Sequence, residues 1–266
     1  MRLLICAISM VALLIPAPEA EACSCGRARV EAWPKTDSVA PTNSHVYVRF
    51  PHGNKEKVIL RLAGTKDTDG VPAVRIDVES MDVRFVELAP TIKLASGAKF
   101  EVVVGKGDKA RVISTFVVGK KADTSVPKRV VVKKATFTYE ETVCCTCGSG
   151  KPFVNLEMAN RDELINDDDD EEEKRTLYGI WTGTPGKKID WKRTPDAYGV
   201  SWYGYLNLGD ASSCSSDNYP IPKSGKMTFG VREVSQSGIQ SAGQVITLKV
   251  KTKKTKPSIF APMGSD

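Results

Sequence analysis

Short apolar–polar alternation is the feature that most limits how this chain can fold. Val46-Tyr47-Val48-Arg49-Phe50, Val58-Ile59-Leu60-Arg61-Leu62, Val74-Arg75-Ile76-Asp77-Val78 and Phe100-Glu101-Val102-Val103-Val104 each repeat with a period of about two, the spacing of a strand with one buried face. Turn formers divide them: Pro51-His52-Gly53-Asn54, Asp67-Thr68-Asp69-Gly70, Ser96-Gly97 and Gly105-Lys106-Gly107-Asp108. No helical periodicity intervenes, so a parallel sheet built on helical crossovers is excluded and an antiparallel sandwich is expected. A second series follows at Val130–Tyr139, Leu177–Thr182, Val200–Leu206, Met227–Val231 and Val245–Val250. The polar, proline-ended stretch from Gly119 to Pro127 separates the two series and reads as a connection between domains. The predicted fold is all-β, with two tandem antiparallel β-sandwich domains over residues 33–119 and 128–252, a linker at 120–127 and a basic tail at 253–266.

The N-terminus carries the pattern of an export leader. Arg2 precedes an apolar run from Leu3 to Ile15, followed by Pro16, Pro18 and the A-x-A signature Ala20-Glu21-Ala22. The run is shorter than the roughly 20 apolar residues that cross a bilayer. Residues 1–22 are therefore expected to be a signal peptide cleaved after Ala22, leaving a Cys-containing segment at 23–32 and no transmembrane span in the mature chain. A secreted, periplasmic or envelope location follows. Lipidation of Cys23 is the alternative, although Ala20 stands where a lipobox has leucine.

Cysteine parity fits export. Of seven cysteines, Cys6 leaves with the leader, and Cys23, Cys25, Cys144, Cys145, Cys147 and Cys214 remain. An even set in an oxidising compartment suits disulfides. Cys144 and Cys145 are adjacent, so each is expected to reach elsewhere, with Cys214 as the distant partner of one of the cluster. The competing reading is a thiolate site for Cu(I) or Zn on Cys144, Cys145, Cys147 and Cys214, though the spacing lacks a C-x-x-C knuckle.

Charge is unevenly spread. Removing Arg2, Glu19 and Glu21 from the 38 basic and 32 acidic residues leaves a mature chain of net +7. Nine acids lie between Asp162 and Glu173, within an insertion at 159–175, so the rest of the chain carries +16. Such a body suits an anionic polysaccharide or an acidic envelope protein as partner, and the C-terminal Lys249-Val-Lys251-Thr-Lys253-Lys254-Thr-Lys256 run adds to it. The same run also serves as a lysine-protected edge strand. The acidic run lacks the D-x-[DN]-x-[DN]-G spacing of a calcium loop and reads as solvated.

No catalytic constellation emerges. G-x-S-x-G, H-E-x-x-H, the P-loop and the dinucleotide fingerprint are missing, and only His45 and His52 supply imidazole. Both histidines read as surface or structurally satisfied. No enzyme, no cofactor and no nucleic-acid partner is expected. Trp181, Trp191 and Trp202 read as an aromatic core of the second domain, with Tyr203 and Tyr205 on the opposite strand face as a candidate ligand platform.

Residues 33–118 resemble a bacterial Ig-like domain of S-layer and envelope proteins. The resemblance rests on Pro34, Val39-Ala40-Pro41-Thr42-Asn43, Val46 to Phe50, Leu94-Ala-Ser-Gly97-Ala-Lys-Phe100-Glu-Val102, and Phe116 in the closing strand. Phe100 stands where the family has tyrosine, so a tyrosine-corner hydrogen bond is not expected there. The second domain is similar to an Ig-like or fibronectin type III module through Gly225-Lys-Met-Thr-Phe229-Gly-Val-Arg232 and Ser241 to Val250. These resemblances imply an adhesive, structural or scaffolding role without catalytic residues. Cys23-Ser24-Cys25 resembles the start of tissue inhibitors of metalloproteinases, which implies protease inhibition as an alternative function.

Overall fold

The computed structural model describes residues 29–50, 55–66, 70–80, 83–139, 152–159, 176–201, 204–209, 217–218, 221–222 and 224–251. The first half is built from β1 (Glu31–Trp33), β2 (Val39–Ala40), β3 (Val46–Phe50), β4 (Val58–Leu62), β5 (Ala73–Ser80), β6 (Val83–Pro90), β7 (Lys99–Val104) and β8 (Arg111–Val118). They form two four-stranded sheets, β1-β3-β6-β5 and β2-β8-β7-β4. All pairs are antiparallel except β2 with β8, where Val39 meets Val117 in parallel. The alternation seen in β3, β4 and β7 sends Val46, Val48, Phe50, Val58, Leu60, Val102 and Val104 into one core with Phe116. Each such side chain, removed from water, stabilises the sandwich by about 1.5–3 kcal/mol. Phe100 stacks on Phe116 at 6.1 Å. Gly97 closes the turn before β7 at φ 78, and its amide donates to the Val118 carbonyl at 2.7 Å.

The second half comprises β9 (Val132–Tyr139), β10 (Pro152–Met158), β11 (Thr176–Gly183), β12 (Ala197–Ser201), β13 (Tyr205–Gly209), β14 (Asp217–Asn218), β15 (Gly225–Glu233) and β16 (Gln244–Val250). Its sheets run β14-β13-β10-β9 and β12-β11-β15-β16. Val154, Leu156, Met158, Ile180, Leu206, Leu208, Phe229 and Val231 fill the space between them. Two expectations change here. The predicted strand series passes from Tyr139 to Leu177 and omits the central strand β10, whose Val154, Leu156 and Met158 alternate into the core. The single strand expected over Val200–Leu206 is two strands on different sheets, with Gly204 at φ 72 just before β13.

One edge strand separates the two sandwiches in topology. In the first, β5 pairs with β6 and completes the sheet that holds β1 and β3. In the second, β12 pairs with β11 and lies in the sheet of β15 and β16. Both arrangements belong to the immunoglobulin-type sandwich, which tolerates extra strands on its C-F-G sheet.

Candidate functional site

A third apolar cluster joins the two sandwiches. Tyr47, Val78, Val83 and Phe85 project from the outer face of β3, β5 and β6 and meet Leu177, Tyr198 and Val234 from one end of the β11, β12 and β15 face. This contact explains β6, where Val83, Phe85 and Glu87 are as buried as Val86 and Leu88 on the core side. Covering both faces erases the alternation of a half-buried strand.

Glu87 sits at the centre of the joint with 6% of its surface exposed. Its Oε1 accepts from Tyr47 Oη at 3.1 Å and contacts His45 Nδ1 at 2.7 Å, and its Oε2 accepts from Tyr198 Oη at 2.8 Å. Tyr198 belongs to the second sandwich and the other three residues to the first. The rings of Tyr47 and Tyr198 lie 5.6 Å apart edge to face, and Phe85 lies 5.5 Å from Tyr198. Burial alone would raise the Glu87 carboxyl, but the hydrogen bonds from His45, Tyr198 and Tyr47 and the attraction of His45 outweigh it, so the group is held below its ordinary value. Burial, then the neighbouring carboxylate, pushes both phenols upward. An acid or base catalyst needs a pKa near the working pH. These shifts run the other way, leaving an ionised carboxylate between neutral phenols.

Backbone contacts extend the joint. The His45 amide donates to the Gln236 carbonyl at 2.6 Å, and its ring lies against Gly238, where an added Cβ would stand 2.4 Å from Cε1. Asn43 clamps the connecting segment, donating to the Asp123 carbonyl and accepting from the Asp123 amide, each at 2.8 Å. Ser237 Oγ of the second sandwich donates to Asp123 Oδ2 at 2.8 Å. Hydrogen bonds from Ser125 and Ser237 lower the Asp123 carboxyl despite some burial. The connection is thereby tied to both sandwiches.

Beside the joint, the loop between β11 and β12 folds back over the outer sheet face. Trp181 is fully buried, its Nε1 donates to the Arg193 carbonyl at 2.8 Å, and its ring meets Trp191 at 5.3 Å. The Arg232 guanidinium lies 4.3 Å from the Trp191 centroid and 5.9 Å from that of Trp181. Glycine makes room for these rings. A Cβ on Gly179 would fall 2.7 Å from Trp181, and one on Gly230 or Gly243 would fall 2.4 or 2.6 Å from Trp191. Trp181 and Trp191, both expected in the sandwich core, thus lie outside it, Trp181 packed against the loop that carries Trp191. Between this loop and the joint is an open cleft of about 200 Å³, lined by Glu87, Tyr198, Trp191, Arg193, Thr194 and Gln240. That is below the roughly 300–1,000 Å³ of small-molecule sites, and the Glu87 oxygens are already engaged.

Of the residues singled out by sequence, His45 belongs to the joint. Cys23, Cys25, Cys144, Cys145, Cys147 and Cys214 lie outside the described residues, as do His52, Trp202, Tyr203 and the acidic run. Among the described residues no three His, Cys, Asp or Glu side chains gather as a metal site, and no helix is long and apolar enough to cross a membrane. Glu87, Tyr47 and Tyr198 escaped sequence reading. The signal available was a carboxylate inside the apolar run Val83-Arg-Phe-Val-Glu-Leu88.

Strand order and the joint define a class, a pair of immunoglobulin-like β-sandwiches in tandem. No protein-family model matches the sequence, and no curated protein matches it. Among solved structures, the N-terminal Ig1-2 module of the Drosophila receptor protein tyrosine phosphatase DLAR is 13% identical, with 85% of this chain and 100% of that chain covered and a TM-score of 0.27. The titin domains z1z2 in complex with telethonin are 13% identical over 82% of this chain and 93% of that one, with a TM-score of 0.20. A pullulanase from Anoxybacillus sp. LM18-11 complexed with maltotriose is 10% identical over 80% of this chain and 25% of its own, at 0.24. With scores this low, the fold rests on the strand order and register themselves.

Proposed function

We propose that the protein is an exported, disulfide-stabilised, non-catalytic binding or structural module of the cell envelope or extracellular space. The observation that carries this reading is the Glu87 joint. Its most buried ionisable groups are spent on one another across the two sandwiches, with the carboxyl held down and the phenols held up, which suits a fixed joint and not proton transfer. A tandem with a fixed joint presents its outer faces at a set angle, as a scaffold or adhesive segment requires. The leader pattern at 1–22 and the even set of mature cysteines support export. Kinship with bacterial envelope Ig-like domains over residues 33–118 belongs to the same reading.

The test is fractionation of the expressing cell, followed by intact mass with and without reduction and thiol alkylation. A product outside the cytoplasm that begins near Cys23 and has no alkylatable thiol before reduction is expected. An uncleaved cytoplasmic chain would end the export reading. Free thiols with bound Zn or Cu would replace the disulfides by a thiolate site.

A further inference from the structure

Lysines gather at the end of the second sandwich remote from the joint. Lys226 of β15 and Lys249 of β16 stand directly opposite each other in register, both exposed. Directly opposed residues hold their Cβ atoms about 4.5–5.5 Å apart, and like charges so placed destabilise a sheet. One rung further in, Thr228 and Thr247 share a hydrogen bond of 2.9 Å on the same face. Ile189 lies beside Gly183, the register partner of Thr228, 2.4 Å from where a Cβ on that glycine would stand. The exposed Lys187 and Lys188 immediately precede Ile189 in the same loop.

None of these four lysines has a carboxylate partner among the described residues. The loop of Lys187 and Lys188 holds two acids, Asp190 and Asp196. Asp190 Oδ1 accepts from the Lys192 amide at 3.0 Å, and Asp196 is paired with Arg193. Opposed lysines with no carboxylate partner among the described residues leave positive charge at this end of the sheet that an anionic ligand would complement.

We propose that Lys187, Lys188, Lys226 and Lys249 form a docking surface for an anionic polysaccharide. The choice of polysaccharide rests on the export reading above, since a linear polyanion outside the cell is most often a sugar polymer. Closely spaced negative charges would cross the Lys226–Lys249 rung and run on toward the Lys187–Lys188 loop. Attraction of this kind is screened by salt, with a Debye length of about 8 Å at physiological ionic strength.

The experiment titrates the mature chain with soluble heparin as probe, following affinity against salt, in the wild type and in Lys226→Glu. The reversal creates an opposed Glu–Lys pair across the sheet. Heparin affinity is expected to fall about tenfold or more, with the slope of log K against log salt reduced by about one unit or more per lost lysine contact. Thermal stability is expected to hold or rise, which a merely structural lysine would not do. Lys226→Arg should bind as the wild type does. No binding of the wild type at low salt, or equal binding by Lys226→Glu, would overturn the proposal. Equal affinity for duplex DNA or for phosphatidylserine vesicles at matched salt would overturn the assignment to polysaccharide. Failure of export with heparin binding intact would remove only the cellular source of the ligand, and export with no heparin binding would remove only this surface.

Discussion

Replacing Glu87 by glutamine tests the joint while leaving its shape nearly unchanged. The carboxylate takes part in three contacts, with His45, Tyr47 and Tyr198 at 2.7, 3.1 and 2.8 Å. Charge-assisted hydrogen bonds are roughly twice as strong as neutral ones, so exchange of carboxylate for amide removes about 1 kcal/mol from each contact. The sum is about 3 kcal/mol, and for a chain of this size it lowers Tm by roughly 6–12 °C. The pH dependence has a fixed sign. A carboxyl whose folded pKa is depressed contributes stability above its unfolded value, about 4.3, and loses it as pH falls through the lower folded value. The gap between wild type and Glu87→Gln is therefore full at pH 7 and narrows below about pH 4. Urea melts of both proteins, followed by near-UV circular dichroism at pH 7 and 3.5, measure it. A gap under about 0.5 kcal/mol at pH 7, or one that does not shrink in acid, would show that the carboxylate does not hold the joint.

Three further changes follow from the same geometry. Tyr198→Phe removes the one phenol donated from the second sandwich to Glu87 and is expected to cost about 1.5–2 kcal/mol in the same melts, with little effect in a background already carrying Glu87→Gln. Gly230→Ala drives a methyl into the Trp191 ring and is expected to cost about 1–3 kcal/mol, with a shift in tryptophan emission as the indole is displaced. Asn43→Ala frees the connecting segment from its two hydrogen bonds to Asp123, and tryptic cleavage at Lys120 and Lys121 should accelerate severalfold at unchanged global unfolding rate.

Much of the architecture was legible because half-buried strands write their burial into every second residue. β3 and β4 begin and end where the alternation does. β6 was not legible for a complementary reason, since Val83-Arg-Phe-Val-Glu-Leu88 is covered on both faces and no period of two survives. β10 lies between the cysteine cluster and the acidic run, the two features that drew the reading of this stretch, and no strand was predicted there. The joint was less legible still. His45, Tyr47, Glu87 and Tyr198 are spread over more than 150 residues of sequence, and only the packing of one sandwich on the other brings them within hydrogen-bonding distance. Trp181, read as a core aromatic, is fully buried but is not part of the cluster between the two sheets, and Trp191, read the same way, is half-buried against Trp181. Gly179, Gly230 and Gly243, the residues that make room for their rings, carry no periodic signal of their own.

The most direct test of a fixed tandem is the orientation of its two halves in solution. Residual dipolar couplings measured on backbone amides of β3, β6 and β7 and of β10, β11 and β15 report an alignment tensor for each sandwich. One common tensor, with the interdomain orientation of the structure, is expected for the wild type, and divergence is expected for Glu87→Gln combined with Tyr198→Phe. Two tensors of different magnitude in the wild type would mean that the sandwiches move independently and that the Glu87 cluster does not fix them.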